Sequence, residues 1–414
     1  MITTNAEQGA RDERPVSLRP QPRTDHPHFG GVPPIRIREI DLNLTNFCNL
    51  ECIHCSYSST KSKHEPALTA DVIKVLLTEA AGLGTKVVHW SGGEPATRPD
   101  MAELIAHAIG LGYGMRLLSN GILLNESRLQ SFWDAGLRKV LISMDGLEEH
   151  HDHHRQHPGL WDKTLNGIRN AVRMGFHTRV NAAATTDNVD DMVELARRMH
   201  AEGVHTFTVF YLITVGRGSE IEGLQVPPDR WRRLMDDMAA VAAELRAAGR
   251  AMEVTVEKVF SWSDDPHDDL HDEHLASGRG GGCLGFLNGC DYVNILADGR
   301  VYPCVCFVDK APALGNINER PLGDILDDPA SWAFYWGLTG RNETCSACAM
   351  VDVCGGGSRA ASYTDTGDWF SLDPRCSGDP VAQGFIPVCF MLREDVTTRV
   401  QSGFAEAIST ESSA

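Results

Sequence analysis

Three cysteines lie close together near the start of the chain: three residues separate Cys48 from Cys52, and two separate Cys52 from Cys55. Three thiols on so short a loop cannot all pair as disulfides, but thiolates are the ligands that iron–sulfur clusters take. A four-iron cubane held by three cysteines keeps one iron open, where a small molecule can bind. A structural zinc site is the alternative, but it needs four ligands, and the local candidate, His54, is wedged between two of the cysteines. The spacing therefore favours a cluster over zinc.

The elements that position this loop follow from the hydrophobic pattern, because strands and helices alternate from residue 35 onward. Compact or alternating apolar runs predict strands over residues 38–45, 86–90, 115–119, 139–144, 178–184 and 206–213. Helical spacing predicts helices over residues 68–81, 99–110, 126–135, 161–174, 189–202 and 228–248. Such alternation indicates βα units on a parallel sheet. We therefore predict an α/β fold, a partial (β/α)6 TIM-like barrel with its active groups at the carboxyl ends of the strands.

Unusual residues stand at those strand ends. Gly92, Gly93 and Glu94 follow the second strand, and glycines let a backbone approach a ligand closely. Ser119 ends the third strand and Asn120 follows it; Ser143 lies near the end of the fourth strand, and Asn181 lies within the fifth. Each alone is a turn signal, but in register on successive strands they reinforce one another as a ligand site.

The cysteine loop after the first strand and the Gly-Gly-Glu motif after the second resemble the radical S-adenosylmethionine (SAM) superfamily. In that family SAM chelates the open iron, one electron from the cluster splits SAM, and the resulting 5′-deoxyadenosyl radical takes a hydrogen atom from the substrate. The resemblance implies a 4Fe–4S cluster on Cys48, Cys52 and Cys55. It also implies SAM contacts from Gly92, Gly93, Glu94, Ser119, Asn120, Ser143, Arg155 and Asn181.

Two charged stretches resemble metal-binding tracts in composition. Residues 148–157 read EEHHDHHRQH, and residues 264–274 read DDPHDDLHDEH. We interpret the first as a loop whose histidines are mostly solvated and whose Arg155 faces SAM or substrate. We interpret the second as an acidic surface loop between domains.

The second half of the chain carries the other nine of the twelve cysteines. Two short β runs around Ala297-Asp298-Gly299 predict a hairpin that ends at Cys304. Four-cysteine sets at the spacings found here hold zinc or iron–sulfur clusters, and the residues alone leave both open.

Gly299-x4-Cys304 and Cys345-x2-Cys348-x5-Cys354 resemble the motif of the SPASM subgroup of radical SAM enzymes, whose C-terminal domain holds two auxiliary clusters. The resemblance implies three 4Fe–4S clusters in all. Auxiliary cluster I would take Cys283, Cys290 and Cys304. Auxiliary cluster II would take Cys345, Cys348, Cys354 and Cys376.

Ser358 departs from the subgroup pattern, which has a further cysteine there as the fourth ligand of cluster I. Cluster I would therefore keep an open iron, take the Ser358 oxygen, or borrow Cys306 or Cys389. Val305 follows Cys304 where sulfatase-maturating members carry an aspartate base, which argues against that activity.

Length and composition are those of a soluble protein of 414 residues, long enough for two domains. The mean hydropathy is −0.23, no apolar run is long enough to span a bilayer, and the N-terminus has no signal-peptide core. We therefore expect a cytoplasmic protein without membrane contact. The formal charge of −18 argues against a nucleic-acid partner.

These patterns predict a domain order. Residues 1–35 form a disordered or strap-like arm, residues 36–262 the barrel, 263–282 a linker, 283–392 the SPASM domain and 393–414 a tail.

The resemblance implies an oxidoreductase whose auxiliary clusters accept an electron after hydrogen abstraction, reduced by a partner such as flavodoxin or ferredoxin. We expect a ribosomally made precursor peptide as substrate, with a separate recognition protein because the arm is short. Dehydrogenation or epimerisation of a sugar or aminocyclitol in antibiotic biosynthesis is the alternative small-molecule reading. A third hypothesis is a non-catalytic electron carrier, which leaves the predicted SAM-contact residues at the strand ends unexplained.

Overall fold

A computed structural model describes residues 37–62, 64, 66–212, 214–221, 223–249, 252–256, 292–338, 343–348 and 356–376. Several predictions from the sequence fall outside these ranges: the arm 1–35, the tract 264–274, the linker, the tail, and Cys283, Cys290, Cys354 and Cys389. They stay predictions.

The described strands form one sheet in which seven parallel strands follow one another in chain order. These strands are β1 Glu39–Asn43, β2 Val87–Ser91, β3 Gly114–Ser119, β4 Lys139–Ser143, β5 His177–Ala184, β6 Thr206–Tyr211 and β7 Glu253–Val256. On the other side of β1, β8 Tyr292–Ile295 pairs parallel to it, and the antiparallel strands β9 Arg300–Tyr302 and β10 Gly315–Asn316 continue the sheet. The predicted partial barrel is confirmed, with β7 as an additional strand too short to stand out in the sequence.

Helices connect the parallel strands, and all of them except the one at residues 148–154 follow the predicted periodicity. They are α1 Ala70–Gly82, α2 Met101–Gly110, α3 Glu126–Asp134, α4 Glu148–His154, α5 Leu160–Arg173, α6 Met192–Ala201 and α7 Pro228–Ala247. The predicted helix 189–202 begins with a 3₁₀ turn, Val189–Asp191. After β10 follow α8 Leu322–Asp327, α9 Pro329–Gly337, α10 Glu343–Ala347 and α11 Arg359–Thr366. None of the helices in the described ranges combines the length and the apolar composition needed to cross a bilayer.

Helix α1 shows how local sequence sets these boundaries. The Thr69 side chain accepts a hydrogen bond from the Val72 N–H and caps the first turn. Ile73, Leu77 and Ala80 then recur at helical spacing and are fully buried in the main core.

Strand β1 is buried on both faces, and this decides what the interior of the barrel is made of. Ile40 and Leu42 lie in the apolar core on one face. Glu39, Asp41 and Asn43 alternate with them on the other face and are also buried. The barrel interior is therefore polar where β1 lines it.

Residues 148–157 correct one prediction. They do not form a solvated loop, because Glu148–His154 is helix α4 and the side chains of His151 and His154 are completely buried. The Asp145 N–H donates to His151 Nδ1 over 3.1 Å, and burial lowers the pKa of His151 to about 3. The helix turns these two histidines inward, where they are neutral packing residues, while His153 is exposed.

A Gly167→Ala substitution tests how tightly α5 packs on the sheet. A Cβ there would lie 2.3 Å from the Gly121 carbonyl oxygen, so Gly167→Ala forces α5 away from the turn after β3. We expect a loss of about 1–3 kcal/mol in the free energy of unfolding, measured by urea titration. Gly110→Ala is the matched helical control, since nothing lies within 4 Å of its added Cβ. Equal stability of the two variants would contradict the packing described.

Candidate functional site

The cysteine loop follows β1 and holds three free thiols, with Cys48 buried and Cys52 and Cys55 partly buried. Backbone N–H groups point at two of the sulfurs: Leu50 N lies 3.4 Å from Cys48 Sγ, and Ser59 N lies 3.4 Å from Cys55 Sγ. Such donors favour the thiolate form.

Burial acts against those donors. It raises the pKa of Cys48 to about 12 and that of Cys52 to about 11. A thiol in such surroundings gives up its proton when a metal cation binds the sulfur. The donor set therefore fits a metal centre.

The local zinc alternative does not gain support. His54 Nε2 lies 3.1 Å from Asp145 Oδ2, so this ring nitrogen is engaged with a carboxylate. Within the described ranges no three His, Cys, Asp or Glu side chains gather around a single ion position. A cubane differs from such a site because each thiolate binds its own iron.

The glycines after β2 pack against the segment that leads into the cysteine loop. Gly93 N donates to Thr45 O over 2.7 Å, and Glu94 N donates to Phe47 O over 3.0 Å. A Cβ at Gly93 would lie 2.1 Å from Phe47 O, and one at Gly92, where φ is +133°, would lie 2.6 Å from Thr45 O. Both positions require glycine. The sequence predicted that these glycines let a ligand approach, whereas in the structure they let the segment before Cys48 approach.

Glu94 joins the ends of β2 and β3. Its buried carboxylate accepts hydrogen bonds from Ser119 Oγ over 2.9 Å, Asn120 N over 2.7 Å and Ala96 N over 3.1 Å. Burial raises the pKa of Glu94 although these donors oppose the shift. Asn120 Nδ2 in turn donates to Asn49 Oδ1 over 2.7 Å, so the predicted residues at the ends of β2 and β3 and the cysteine loop form one connected network.

Asp145, at the end of β4, is the centre of a second network. Arg155 donates to its Oδ2 from Nε over 2.8 Å and from Nη2 over 2.7 Å, and Ala183 N donates to its Oδ1 over 2.9 Å. Burial alone would raise the pKa of Asp145, but the Arg155 guanidinium and His54 hold it well below its usual range. Arg155 Nη1 also lies 4.0 Å from Cys52 Sγ, so this predicted site residue reaches the loop.

Ser143 and Asn181 are placed differently from the other predicted SAM contacts. They are direct neighbours in the pairing of β4 with β5. The Asn181 side-chain oxygen accepts a hydrogen bond from Arg179 Nε over 3.0 Å. Both are partly buried, and their role as SAM contacts stays a prediction.

Three buried polar atoms beside the loop have no hydrogen-bond partner among the described residues: Asn43 Oδ1, His54 Nδ1 and Arg217 Nη2. Because unpaired buried polar atoms are costly, they indicate room for a polar group at this position. A metal centre bound by the three thiols and carrying a polar ligand fits these unpaired atoms. Arg217 was missed in the sequence, where its only signal is the Gly216-Arg217-Gly218 run after β6.

A further polar cluster, also missed, lies one layer deeper in the barrel. Asp41 accepts hydrogen bonds from Ser91 Oγ and, over 3.4 Å, from Tyr57 Oη. Asn294 Nδ2 donates to the same tyrosine oxygen over 2.8 Å. Burial raises the pKa of Asp41 to about 6 although its hydrogen bonds oppose the shift. The period-two alternation of polar residues on β1 was the available signal.

The second cysteine region is described in part. Cys304 follows β9, and its sulfur accepts a hydrogen bond from Cys306 N over 3.5 Å. Cys345 lies on α10, and Cys348 N donates to Cys345 O over 3.2 Å. Cys376 N donates to Asp373 O over 2.8 Å at the end of the described chain. The ligand sets of the two auxiliary clusters remain predictions.

Ser358 has a structural task. It is fully buried and caps α11, because its Oγ accepts a hydrogen bond from Ala361 N over 3.2 Å. Its own N–H donates to Asp373 Oδ2 over 2.7 Å. The alternatives for the fourth ligand of cluster I, including Cys306 and Cys389, stay open.

Gly93→Ala tests the backbone contact that supports the loop. The added Cβ would collide with Phe47 O, so the peptide before Cys48 must move. We expect anaerobically reconstituted Gly93→Ala protein to lose about four irons, one cubane's worth. Gly82→Ala is the control, with nothing within 4 Å of the new Cβ. A Gly93→Ala protein with full iron content would refute this role.

Asp41→Asn tests the buried carboxyl group. With its pKa raised from 3.8 to about 6, the folded state holds this proton more tightly than the unfolded chain, so its stabilising effect is complete below about pH 4 and is lost by about pH 6. The stability of Asp41→Asn minus that of wild type should therefore be about 2.5 kcal/mol larger near pH 7.5 than near pH 4, measured by urea titration. Exposed Asp236→Asn is the control and should show equal differences at both pH values. A pH-independent Asp41→Asn difference would count against the shift.

Comparisons with known proteins agree with this geometry. The sequence model of the radical SAM superfamily matches residues 42–199, and that of the SPASM iron–sulfur cluster-binding domain matches residues 283–349. The chain is 29% identical to the AdoMet-dependent heme synthase of Methanosarcina barkeri over 344 residues, 82% of this chain and 96% of that protein. It is 28% identical to the PqqA peptide cyclase of Bradyrhizobium diazoefficiens over 349 residues, 82% of this chain and 86% of that protein.

Solved structures share the fold. The crystal structure of Streptococcus suis SuiB bound to S-adenosylmethionine superposes with a TM-score of 0.65 at 18% identity, covering 83% of this chain and 78% of SuiB. Native anSMEcpe with bound AdoMet gives 0.62 at 17% identity, covering 82% of this chain and 94% of that chain. The two family matches cover the segments with the first cysteine loop and Cys304, so the chain belongs to the radical SAM superfamily and its SPASM subgroup, a membership that implies 4Fe–4S clusters and SAM.

Proposed function

We propose that this chain is a radical SAM oxidoreductase that matures a ribosomally made peptide. The observation that carries the proposal is the network through Glu94 and Asn120, which links the loop of three free thiols to the strand ends. When bound, a 4Fe–4S cluster and SAM supply the one-electron chemistry that removes a hydrogen atom from carbon.

The chain's own residues have distinct tasks in this proposal. Cys48, Cys52 and Cys55 hold the cluster, and burial around Cys48 keeps water away from it. The backbone of the Gly92–Gly93 turn and the side chain of Asn120 hold SAM, with Glu94 fixing that turn relative to Asn120. Arg155, oriented by two hydrogen bonds to Asp145, supplies a positive charge next to Cys52.

The C-terminal domain completes an oxidation. We assign auxiliary cluster I to Cys283, Cys290 and Cys304, and auxiliary cluster II to Cys345, Cys348, Cys354 and Cys376. After removal of a hydrogen atom, completing the oxidation requires loss of one more electron and one proton from the substrate, and a cluster held by these cysteines would supply the acceptor for that electron. Flavodoxin or ferredoxin is the class of partner that supplies low-potential electrons to such enzymes.

The relatives support a peptide substrate. A PqqA peptide cyclase is among the curated relatives, and SuiB has been crystallised bound to the precursor peptide SuiA. Heme synthases are relatives of similar identity, so a porphyrin is the competing substrate that an experiment must exclude. We favour the peptide because the structural neighbours that match over most of this chain include peptide complexes.

The cluster assignment is tested by iron content and SAM cleavage. Anaerobically reconstituted protein should bind about twelve irons, and the Cys48, Cys52 and Cys55 triple Ala variant about eight. Reduced wild type should cleave SAM to 5′-deoxyadenosine, and the triple variant should not. Cys345→Ala should also lose iron but still cleave SAM, which separates the two cluster regions. Stoichiometric zinc without iron-dependent absorbance would refute the assignment.

The same enzyme then decides the substrate class. Short peptides encoded beside this chain, deuterated at their side chains, should transfer deuterium to 5′-deoxyadenosine and lose two hydrogens by mass. Cys345→Ala should block that net oxidation. If an iron porphyrin is converted and no peptide is changed, the peptide proposal is wrong and the substrate is a porphyrin.

A further inference from the structure

The segment after β6 lies directly on the cysteine loop. Gly216 has φ +56°, and a Cβ there would be 2.5 Å from the carbonyl oxygens of both Cys55 and Ser56. Arg217 N donates to Cys55 O over 3.1 Å. The two backbones are in contact, so a side chain at position 217 necessarily stands beside the loop.

The Arg217 side chain reaches the middle cysteine of the loop. Its Nε donates to the Cys52 carbonyl oxygen over 2.9 Å. Its Nη2 is buried and has no hydrogen-bond partner among the described residues. Nε of the guanidinium group therefore donates a hydrogen bond within the described residues, and Nη2 does not.

Arg155 offers a comparison, because it approaches Cys52 from the other network. Arg155 is neutralised by two hydrogen bonds to Asp145, at 2.7 and 2.8 Å. For Arg217, no carboxylate of the described residues lies within ion-pairing distance. A partly buried guanidinium without a counter-charge is unfavourable unless an anion is close.

We propose that Arg217 is the counter-charge of the metal centre on the cysteine loop and sets its reduction potential. This inference rests on the proposed function, since it requires that Cys48, Cys52 and Cys55 hold a 4Fe–4S cluster. A cubane held by three thiolates carries net negative charge, and reduction adds one more electron. A fixed cation beside it favours the reduced form, and charge and hydrogen bonds are the factors that tune such potentials.

The proposal distinguishes charge from mere support of the loop. If Arg217 only holds the Cys52 carbonyl oxygen, its charge is unimportant. Arg217→Lys and Arg217→Gln, which both lose the planar guanidinium group, should then change the cluster equally. If it acts as a counter-charge, Arg217→Lys keeps the effect and Arg217→Gln loses it.

Arg217→Gln, Arg217→Lys and a control should be reconstituted anaerobically and titrated with a redox mediator series, following the EPR signal that changes when SAM is added. Arg217→Gln should shift the midpoint potential of that cluster downward by at least about 59 mV, a tenfold fall in the equilibrium constant for its one-electron reduction. Arg217→Lys should stay close to wild type. Exposed Arg197, paired with Glu244, provides the control Arg197→Gln, which should not change the potential.

Each outcome decides the question. A fully loaded Arg217→Gln protein with the wild-type potential overturns the proposal. If Arg217→Gln cannot hold the cluster, iron retained by Arg217→Lys supports the counter-charge, and loss of iron in both shows a purely geometric role and overturns it. Failure of the proposed function is distinguishable, because wild type itself would then lack the SAM-responsive signal.

Discussion

The close backbone contact between the Gly92–Gly93 turn and residues 45–47 is the constraint on which the site depends. No other residue type fits at Gly93, because its missing Cβ is the space that Phe47 O occupies. The contact fixes the exit of β1 against the exit of β2, and the cysteine loop starts one residue after it. The position of Cys48 is therefore set by the sheet rather than by the loop's own conformation, which suits a centre that must keep one geometry.

A polar barrel interior follows from the same strand. β1 alternates apolar residues toward the helices with Glu39, Asp41 and Asn43 toward the interior, and all of them are buried. Placing such groups inside the barrel costs free energy that Leu or Val would not, and burial raises the pKa of Asp41 although its hydrogen bonds oppose the shift. A sequence that keeps these groups is consistent with an interior that handles polar ligands and protons rather than one optimised for stability.

The strands, their parallel order and the cysteine motifs could be predicted, because they depend on local sequence patterns. Strand positions agree within a residue or two, and the parallel order follows from the alternation of elements. The prediction was wrong for residues 148–157, because composition cannot tell which side of a short helix faces the core, and His151 and His154 face inward. Arg217 was missed for a different reason: it is 165 residues from Cys52 along the chain, and only the curvature of the sheet brings β6 back over the loop.

The two arginines beside Cys52 divide the electrostatics of the loop between them. Arg155 comes from the segment after β4 with its own carboxylate, so the pair adds hydrogen-bond donors but little net charge. Arg217 comes from the segment after β6, and in the part of the chain that the structure describes no carboxylate pairs with it; its charge therefore acts on the loop itself. Because reduction of a cluster adds negative charge in a buried place, a site with only the neutralised arginine would resist the electron it needs. A cation on an element outside the loop, with no carboxylate partner among the described residues, would let the fold tune such a centre without altering the three cysteines proposed to bind it.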